Sequence, residues 1–564
     1  MNFEILQSAR PMHSFRILVL AASSFSLLAQ TNTTPGTLPV TAGVRTNAVN
    51  LTATNFVAGG LSVSNGVMVG YTSNNVPPTA ILGTNINVRP ITLVEAVGMA
   101  LRNNYDIQIA RHNPEIARYN LEGSYAVYEP ALDLGYTHSF SASPGRFDRD
   151  LNIFLPGDEV YNDSFDGAVG NGLSGYLPTG TRYSATTSLN RRDPLGEDQV
   201  TGNLNFSLRQ PLLRDFWIDQ PRMTIKVNKK RLQISEWQLR QQLIATVSSV
   251  ESAYYDLIRA RENIKVQRAA LEYNNQLLRE NRKRVEVGAL APLDEKQAEA
   301  EVARGVAGLL QTEQAYAVQL NLLKNLITHD FANWTNIVID PVETLVAVPS
   351  QPELPESWKR GLTLRPELQQ LRLDLEARDI ELKFLKNQLW PALDVTGSYG
   401  HSSISLEPAE EPSYTKALRR LAQDEFPRHS VGVVLSVPLG NRAARNSLKA
   451  AKSSKAQAIL DFKALEQEIM VSIDNAIKLL QSQYQQVEAT RQARLFAQDA
   501  LSAEQKKYEN GKSTSFNVLL YQRDLTRSRF EELAALAEYN KAIAGLAAQE
   551  GATLTRHNLN INFE

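Results

Sequence analysis

The chain has 564 residues and no cysteine. That absence excludes disulfides, thiolate catalysis, Cys-ligated zinc and the acylated N-terminal cysteine of a lipoprotein. An excess of charge of one sign is also missing. Lys and Arg number 59 against 60 Asp and Glu, so nothing global argues for nucleic acid as a partner. The seven histidines are scattered, without a helical pair at metal spacing. With no nucleophile and base arrangement and no metal set visible, neither an enzyme nor a cofactor is expected. Long hydrophobic runs are absent as well: no segment offers about 18 uninterrupted apolar residues. The run from Ile17 to Ala29, preceded by Arg10, His13 and Arg16, is too short to span a bilayer but suits the apolar core of a signal peptide, with cleavage near Ala29. An exported chain of this kind is either soluble or crosses a membrane as a barrel.

Glycine and proline are missing from two very long stretches, Arg222 to Val287 and Asn441 to Asn510, each closed by a glycine. At the helical rise of 1.5 Å per residue each is long enough for one helix of roughly 100 Å. Apolar residues step by three and four inside them: Leu243, Val247, Val250, Tyr254 and Leu257 in the first, and Ile469, Ile473, Ile477, Leu480, Tyr484 and Val487 in the second. Such stripes need partner helices alongside.

The chain also repeats itself. Pro130-Ala131-Leu132-Asp133 recurs as Pro391-Ala392-Leu393-Asp394, and the same shift carries Asp106-Ile107 onto Glu367-Leu368. Each copy reads as a helix (Thr92 to Tyr128, broken at Pro114, and Pro366 to Leu389), then alternating strands, then the long helix, a glycine turn and a third helix. The third helices run from about Leu293 to Ile327 and from Ser515 to Ala548. Leu132, Leu134, Tyr136, His138 and Phe140 alternate along one face of the first strand. The returning strands end at Gln210-Pro211-Leu212 and Val437-Pro438-Leu439, and an extra hairpin around Leu177-Pro178-Thr179-Gly180 is expected in the first copy. The division is therefore a signal peptide (1–29), a polar low-complexity leader (30–89), a first repeat (90–328), a linking segment (329–362), a second repeat (363–554) and a tail (555–564). Four principal strands per chain cannot close a pore, which takes about eight. Oligomerisation would cover the open edges.

Several features, in this order and twice over, resemble the TolC-type outer-membrane efflux protein family between about Ile91 and Leu554. They are Leu93-Val94-Glu95-Ala96, Arg365-Pro366-Glu367-Leu368 and the strand end Gln210-Pro211-Leu212-Leu213. To these are added the turns Val285-Glu286-Val287-Gly288 through Leu293-Asp294, with Ala298-Glu299, and Tyr508-Glu509-Asn510-Gly511 through Asn517-Val518-Leu519, with Gln522. The resemblance implies an α+β, mainly α fold: a homotrimer in which each chain gives four strands to one barrel among outer-membrane lipid, continued by a helical tunnel through the periplasm. It also implies a periplasmic adaptor and an inner-membrane transporter as partners, in a tripartite efflux pump or a type I secretion system. In the family the tip is closed by polar links, and the matching positions here are Asp294 and Tyr508, with Lys512 and Asn517 nearby. Ser513 stands where an arginine is expected, and Asn517 and Leu520 stand where carboxylates are, so an acidic ring is in doubt. Gly288, Ala289, Leu290, Pro292, Gly511, Ser513 and Thr514 form the turns on which an adaptor would dock.

Plainer readings remain beside these. Asp294 suits the first turn of a helix beginning at Pro292, Tyr508 suits packing, and the tip glycines suit hairpin turns needing positive φ. Gly170-x-Gly172-x-x-Gly175 matches a dinucleotide fingerprint in letters, but it precedes strand-like sequence and reads as a hairpin. Glu407, Glu410 and Glu411 with Arg419 and Arg420 belong to an outer loop carrying a short helix, Tyr414 to Asp424. Tyr136, Phe140, Phe206 and Trp217 are candidates for an aromatic belt. The function that fits is a passive export duct; the alternative is an exported coiled-coil scaffold that tethers envelope layers and conducts nothing. The strand pair inserted in both copies, which a scaffold does not need, favours the duct.

Overall fold

Strand β1 (Asn87–Ile91) leads into helices α1 (Leu93–Asn103) and α2 (Tyr105–Ser124), then a short 3-10 turn at Tyr125–Tyr128. Strands β2 (Ala131–Asp133), β3 (Thr137–Ala142), β4 (Arg146–Asp148), β5 (Ile153–Leu155), β6 (Glu159–Phe165) and β7 (Asn171–Tyr176) come next. The first half closes with β8 (Arg182–Pro194), β9 (Gln199–Pro211), α3 (Gln220–Glu286) and α4 (Pro292–Ile327). A linking segment holds β10 (Ile337–Pro341). Then come α5 (Leu354–Leu364), α6 (Pro366–Asn387), β11 (Ala392–Leu406), α7 (Tyr414–Ala422), β12 (Phe426–Ser436), α8 (Arg442–Glu509), α9 (Ser515–Gln549) and α10 (Thr553–Arg556). This computed structural model describes residues 87–150, 152–155, 159–165, 171–194, 198–406, 411–423 and 426–559. The expected signal peptide and the leader up to residue 86 lie outside the described residues. Among the described residues no helix is long and apolar enough to cross a membrane.

The two long helices are continuous over 67 and 68 residues. Asp219 caps α3 by accepting from the Arg222 amide at 2.8 Å, and Pro221 occupies the first turn, where its missing N–H costs nothing. The predicted stripes are the buried faces. Leu243, Val247, Val250, Tyr254 and Leu257 of α3 pack with Leu320, Leu323 and Ile327 of α4 and with Ala96 and Ala100 of α1. Ile469, Ile473, Ile477, Leu480 and Val487 of α8 pack with Leu536, Tyr539 and Leu546 of α9 and Leu368 of α6. The remaining apolar residues are left in the open within one chain: Leu310, Val318 and Leu322 on α4, and Leu460, Leu479 and Phe496 on α8, are exposed. A face of that kind calls for a neighbour.

Three expectations change. The first-half helix breaks at Asn104, not at Pro114, which lies inside α2. Asn104 is extended (φ −65°, ψ 129°), and its side-chain oxygen takes the amides of Asp106 and Ile107, capping α2 afresh. The end of the leader is not low-complexity coil: residues 87–91 pair in parallel with β10, from the linking segment. Finally, the sheet is wider than four strands. Its order is β12-β11-β9-β8-β6-β3, with β7 and β2 filling the helix-side part of the same two tracks as β6 and β3. The strand expected from Leu132 to Phe140 is split into β2 and β3, and β8 joins β9, β11 and β12 as the fourth long strand.

The ladder sorts the sheet's residues by face. Val431, Val433 and Leu435 of β12 lie opposite Gly397, Val395 and Leu393. That face continues through Leu204, Phe206 and Leu208 of β9 to Tyr183, Ala185 and Leu189 of β8, then to Leu173, Leu132 and Phe165. The opposite face reads Ser430, Thr396 and Ser398, then Asn203, Asn205 and Ser207, then Ser184, Thr186 and Ser188. The helix-side part of the apolar face is open, Val431 being 83% and Leu435 61% exposed, whereas α7 covers its outer part, where buried Ser403 donates to Ala417 O at 2.8 Å and Tyr414 packs on Phe165. The polar face is concave, enclosing about 800 Å³ between Ser174, Ser184, Ser207, Ser398 and Ser430. Gly172 and Gly175, two positions of the dinucleotide-like motif, sit in β7 hard against Ala185 and Tyr183, so they serve close strand packing.

Candidate functional site

Both long helices end in the same backbone device. The Gly288 amide donates to Val285 O at 3.0 Å and the Ala289 amide to Arg284 O at 2.7 Å; Gly511 repeats this with Tyr508 O at 3.0 Å and Lys512 with Lys507 O at 2.8 Å. These are Schellman caps, which need a left-handed residue at the glycine. Gly288 has φ 74° and Gly511 φ 72°. After each turn the chain restarts at Pro292, which opens α4, or at Thr514, whose hydroxyl accepts from the Asn517 amide at 3.4 Å to cap α9.

Below these turns the two hairpins of one chain are tied together. Leu277 of α3, Leu501 and Tyr508 of α8, and Val518, Leu519 and Leu525 of α9 form a small apolar cluster. Polar links surround it. Tyr508 is buried and its hydroxyl donates to Asn281 Oδ1 at 2.7 Å, while the Arg284 guanidinium lies 4.6 Å from the centre of its ring. Asp294 Oδ1 accepts from the buried Ser515 hydroxyl at 3.0 Å, and Gln505 donates to the Tyr273 hydroxyl at 2.7 Å. Asp294 and Tyr508 therefore have different hydrogen-bond partners within one chain. They are still neighbours: burial, opposed by Arg284 and reinforced by the Asp294 carboxylate, pushes the Tyr508 hydroxyl's pKa above its ordinary value.

The other candidate residues divide between the turn and the solvent. Ser513 donates to Glu504, and Asn517 donates to Ser513 at 3.3 Å. Hydrogen bonds from Ser513 and Lys507 hold the Glu504 carboxyl below the usual carboxylate range. Gly288, Ala289, Pro292, Gly511, Lys512 and Thr514 are exposed, and Leu290 and Ser513 are half-buried, so the two turns present accessible backbone. Asn281, Arg284, Glu504 and Ser515 are the residues that sequence reasoning missed. Only Asn281 carried a signal: with Asn274 it occupies the buried stripe of α3 among Ala270 and Leu277, where an amide is out of place without a partner.

A long helical pair with a tied tip and a two-faced sheet is an arrangement that can be compared directly. The sequence profile described as "Outer membrane efflux protein" matches residues 178–329 and 359–552. The chain belongs to this family. Outer membrane protein TolC of Vibrio cholerae is 23% identical to this efflux protein over 400 residues, which cover 68% of the chain and 85% of the relative. Among solved structures, the CmeC outer membrane channel of Campylobacter jejuni aligns at a TM-score of 0.59 with 16% identity, over 82% of this chain and 86% of the other. The outer membrane protein VceC of Vibrio cholerae aligns at 0.58 with 18% identity, over 81% and 96%. This efflux protein acts at the outer membrane as an efflux duct, and the scaffold alternative falls away.

Proposed function

We propose that three copies of this efflux protein close one β-barrel in the outer membrane, continued into the periplasm by a tunnel of their long helices. The observation that carries this is the sorting of the sheet into an exposed apolar face and a concave polar one, the pattern of a wall with lipid outside and water inside. One chain leaves both edges of its sheet, β12 and the β2 and β3 track, without a strand partner among the described residues. Open edges of this kind are satisfied by pairing with the next copy. Six strand tracks per copy give eighteen in a trimer, a width at which barrels enclose an aqueous channel. Helices of about 100 Å suit a passage across the periplasm, and the exposed apolar residues of α4 and α8 supply contacts between copies.

The tip closes the duct in this account. Asp294 with Ser515, and Tyr508 with Asn281 and Arg284, hold the second hairpin against the first, and Lys512 and Asn517 flank the turn. Such bonds contribute about 0.5–1.5 kcal/mol each, so an adaptor docking on the turns at Gly288 to Pro292 and Gly511 to Thr514 is able to break them. An inner-membrane transporter would supply the energy. The test is the mass of the detergent-purified oligomer together with its conductance in planar bilayers. Discrete conductance steps from a trimer, enlarged by Tyr508→Phe with Asn281→Ala, are the expected result. A stable trimer that never conducts, even with both changes, would refute the proposal.

A further inference from the structure

Fixed charge is distributed unevenly along the polar face of the sheet. At its helix end Arg182 and Arg209 lie opposite each other in the ladder. Arg209 is paired with Asp394 at 2.5 Å, Arg182 lies over the Tyr176 ring at 5.0 Å from its centre, and Glu129 lines the same concavity. That belt is of mixed sign. Further out, Arg428 stands opposite Gly400, and Arg192 opposite Gln199. Both side chains are exposed. Arg428 donates to Asn203 Oδ1 at 2.8 Å, a neutral acceptor, so that no carboxylate among the described residues pairs with it within one chain. Asp133 on β2 is level with Arg428 across the sheet, and beyond that row the described residues of this face carry no carboxylate. Their polar groups are amides and hydroxyls such as Asn162, Asn190 and Thr201.

Building on the barrel reading above, we infer that Arg192 and Arg428 of each copy line the outer half of the duct with fixed positive charge, so that it favours anionic over cationic solutes. Rings of Arg or Lys select anions in pores for the same electrostatic reason. A guanidinium stays protonated throughout the accessible pH range, so the preference does not titrate near neutrality. In a wide lumen it depends on screening: the Debye length is about 10 Å at 0.1 M salt and about 30 Å at 0.01 M, so the preference strengthens in dilute salt.

The experiment is the reversal potential of the reconstituted oligomer under a potassium chloride gradient, with the dilute side at about 10 mM, where screening is weak. The expected potential lies on the chloride side, with a chloride-to-potassium permeability ratio above one that does not change with pH around neutrality. Arg192→Gln with Arg428→Gln brings the ratio toward one, and the charge-preserving Arg192→Lys with Arg428→Lys retains it. A ratio at or below one in the unaltered protein, or one that the glutamine pair leaves in place, overturns the inference while conduction itself upholds the duct. No conduction, in the Tyr508→Phe protein as well, overturns the barrel reading and this inference with it.

Discussion

The two hairpin tips share a backbone and differ in what holds it. Gly288 and Gly511 close α3 and α8 with the same pair of hydrogen bonds and nearly the same φ. The first turn is braced by ions that cross from one helix to the next, Arg282 reaching Glu295 and Glu299, each at 3.0 Å, while Lys296 adds a pair to Glu299 along α4 itself at 2.8 Å. The second is braced by Ser513 bonding Glu504 within the turn, with Lys507 adding a pair along α8 itself. Near the tip the ion pairs of the second hairpin do not span its two helices; Arg494 meets Glu532 only further up. Equal backbone turns therefore do not make equally firm hairpins. The first is tied across its own two helices, whereas the second is held to the first through Tyr508 and Ser515.

The largest effect that would break this contrast comes from the shared cluster beneath both turns. Leu277→Ala removes a buried side chain and should cost about 2–5 kcal/mol, loosening both hairpins alike in hydrogen exchange. Asn281→Ala should cost about 1–3 kcal/mol by leaving the buried Tyr508 hydroxyl unpaired, and it should speed exchange in the second hairpin more than in the first. Gly288→Ala and Gly511→Ala should each cost about 1–2 kcal/mol from positive φ alone. Nothing crowds either site, so thermal unfolding of the two variants should be shifted equally.

The smallest effects separate the braces. The Arg282 pairs are half exposed and contribute about 0.2–1 kcal/mol; added salt should weaken them and leave the neutral Ser513 donor untouched. Glu504 answers to pH instead. Its carboxyl titrates lower in the folded protein than its ordinary 4.5, so the stabilisation is present above that value and is lost as pH falls through the folded one. Ser513→Ala should raise the pH at which exchange at Gly511 and Lys512 accelerates.

Much of the long-helix half of the fold is legible in the sequence, because a run without glycine or proline and with one apolar stripe has few alternatives to a helix against partners. The turn glycines are legible for the same local reason. The break at Asn104 is less so. It depends on one side chain capping two amides, and the familiar helix breaker ten residues later turns out to be tolerated. The parallel pairing of β1 with β10 joins segments far apart in the chain, and no local pattern announces it. The width of the sheet is hidden because the hairpin around Leu177 to Gly180 joins the main ladder through the pairing of β8 with β9, a register that no local pattern announces. At the tip, sequence reasoning draws Asp294 and Tyr508 to one neighbourhood, but their actual partners, Ser515 and Asn281, come from packing two hairpins together.

The central claim is that one face of the sheet meets lipid and the other meets water. Because the chain has no cysteine, single substitutions on the two faces report on this without background. In membranes, Ser207→Cys and Ser430→Cys should react with a charged, membrane-impermeant thiol reagent, while Leu208→Cys and Val433→Cys should resist it and accept a lipid-soluble one. Equal reaction of all four with the charged reagent, or the reverse pattern, would contradict the account.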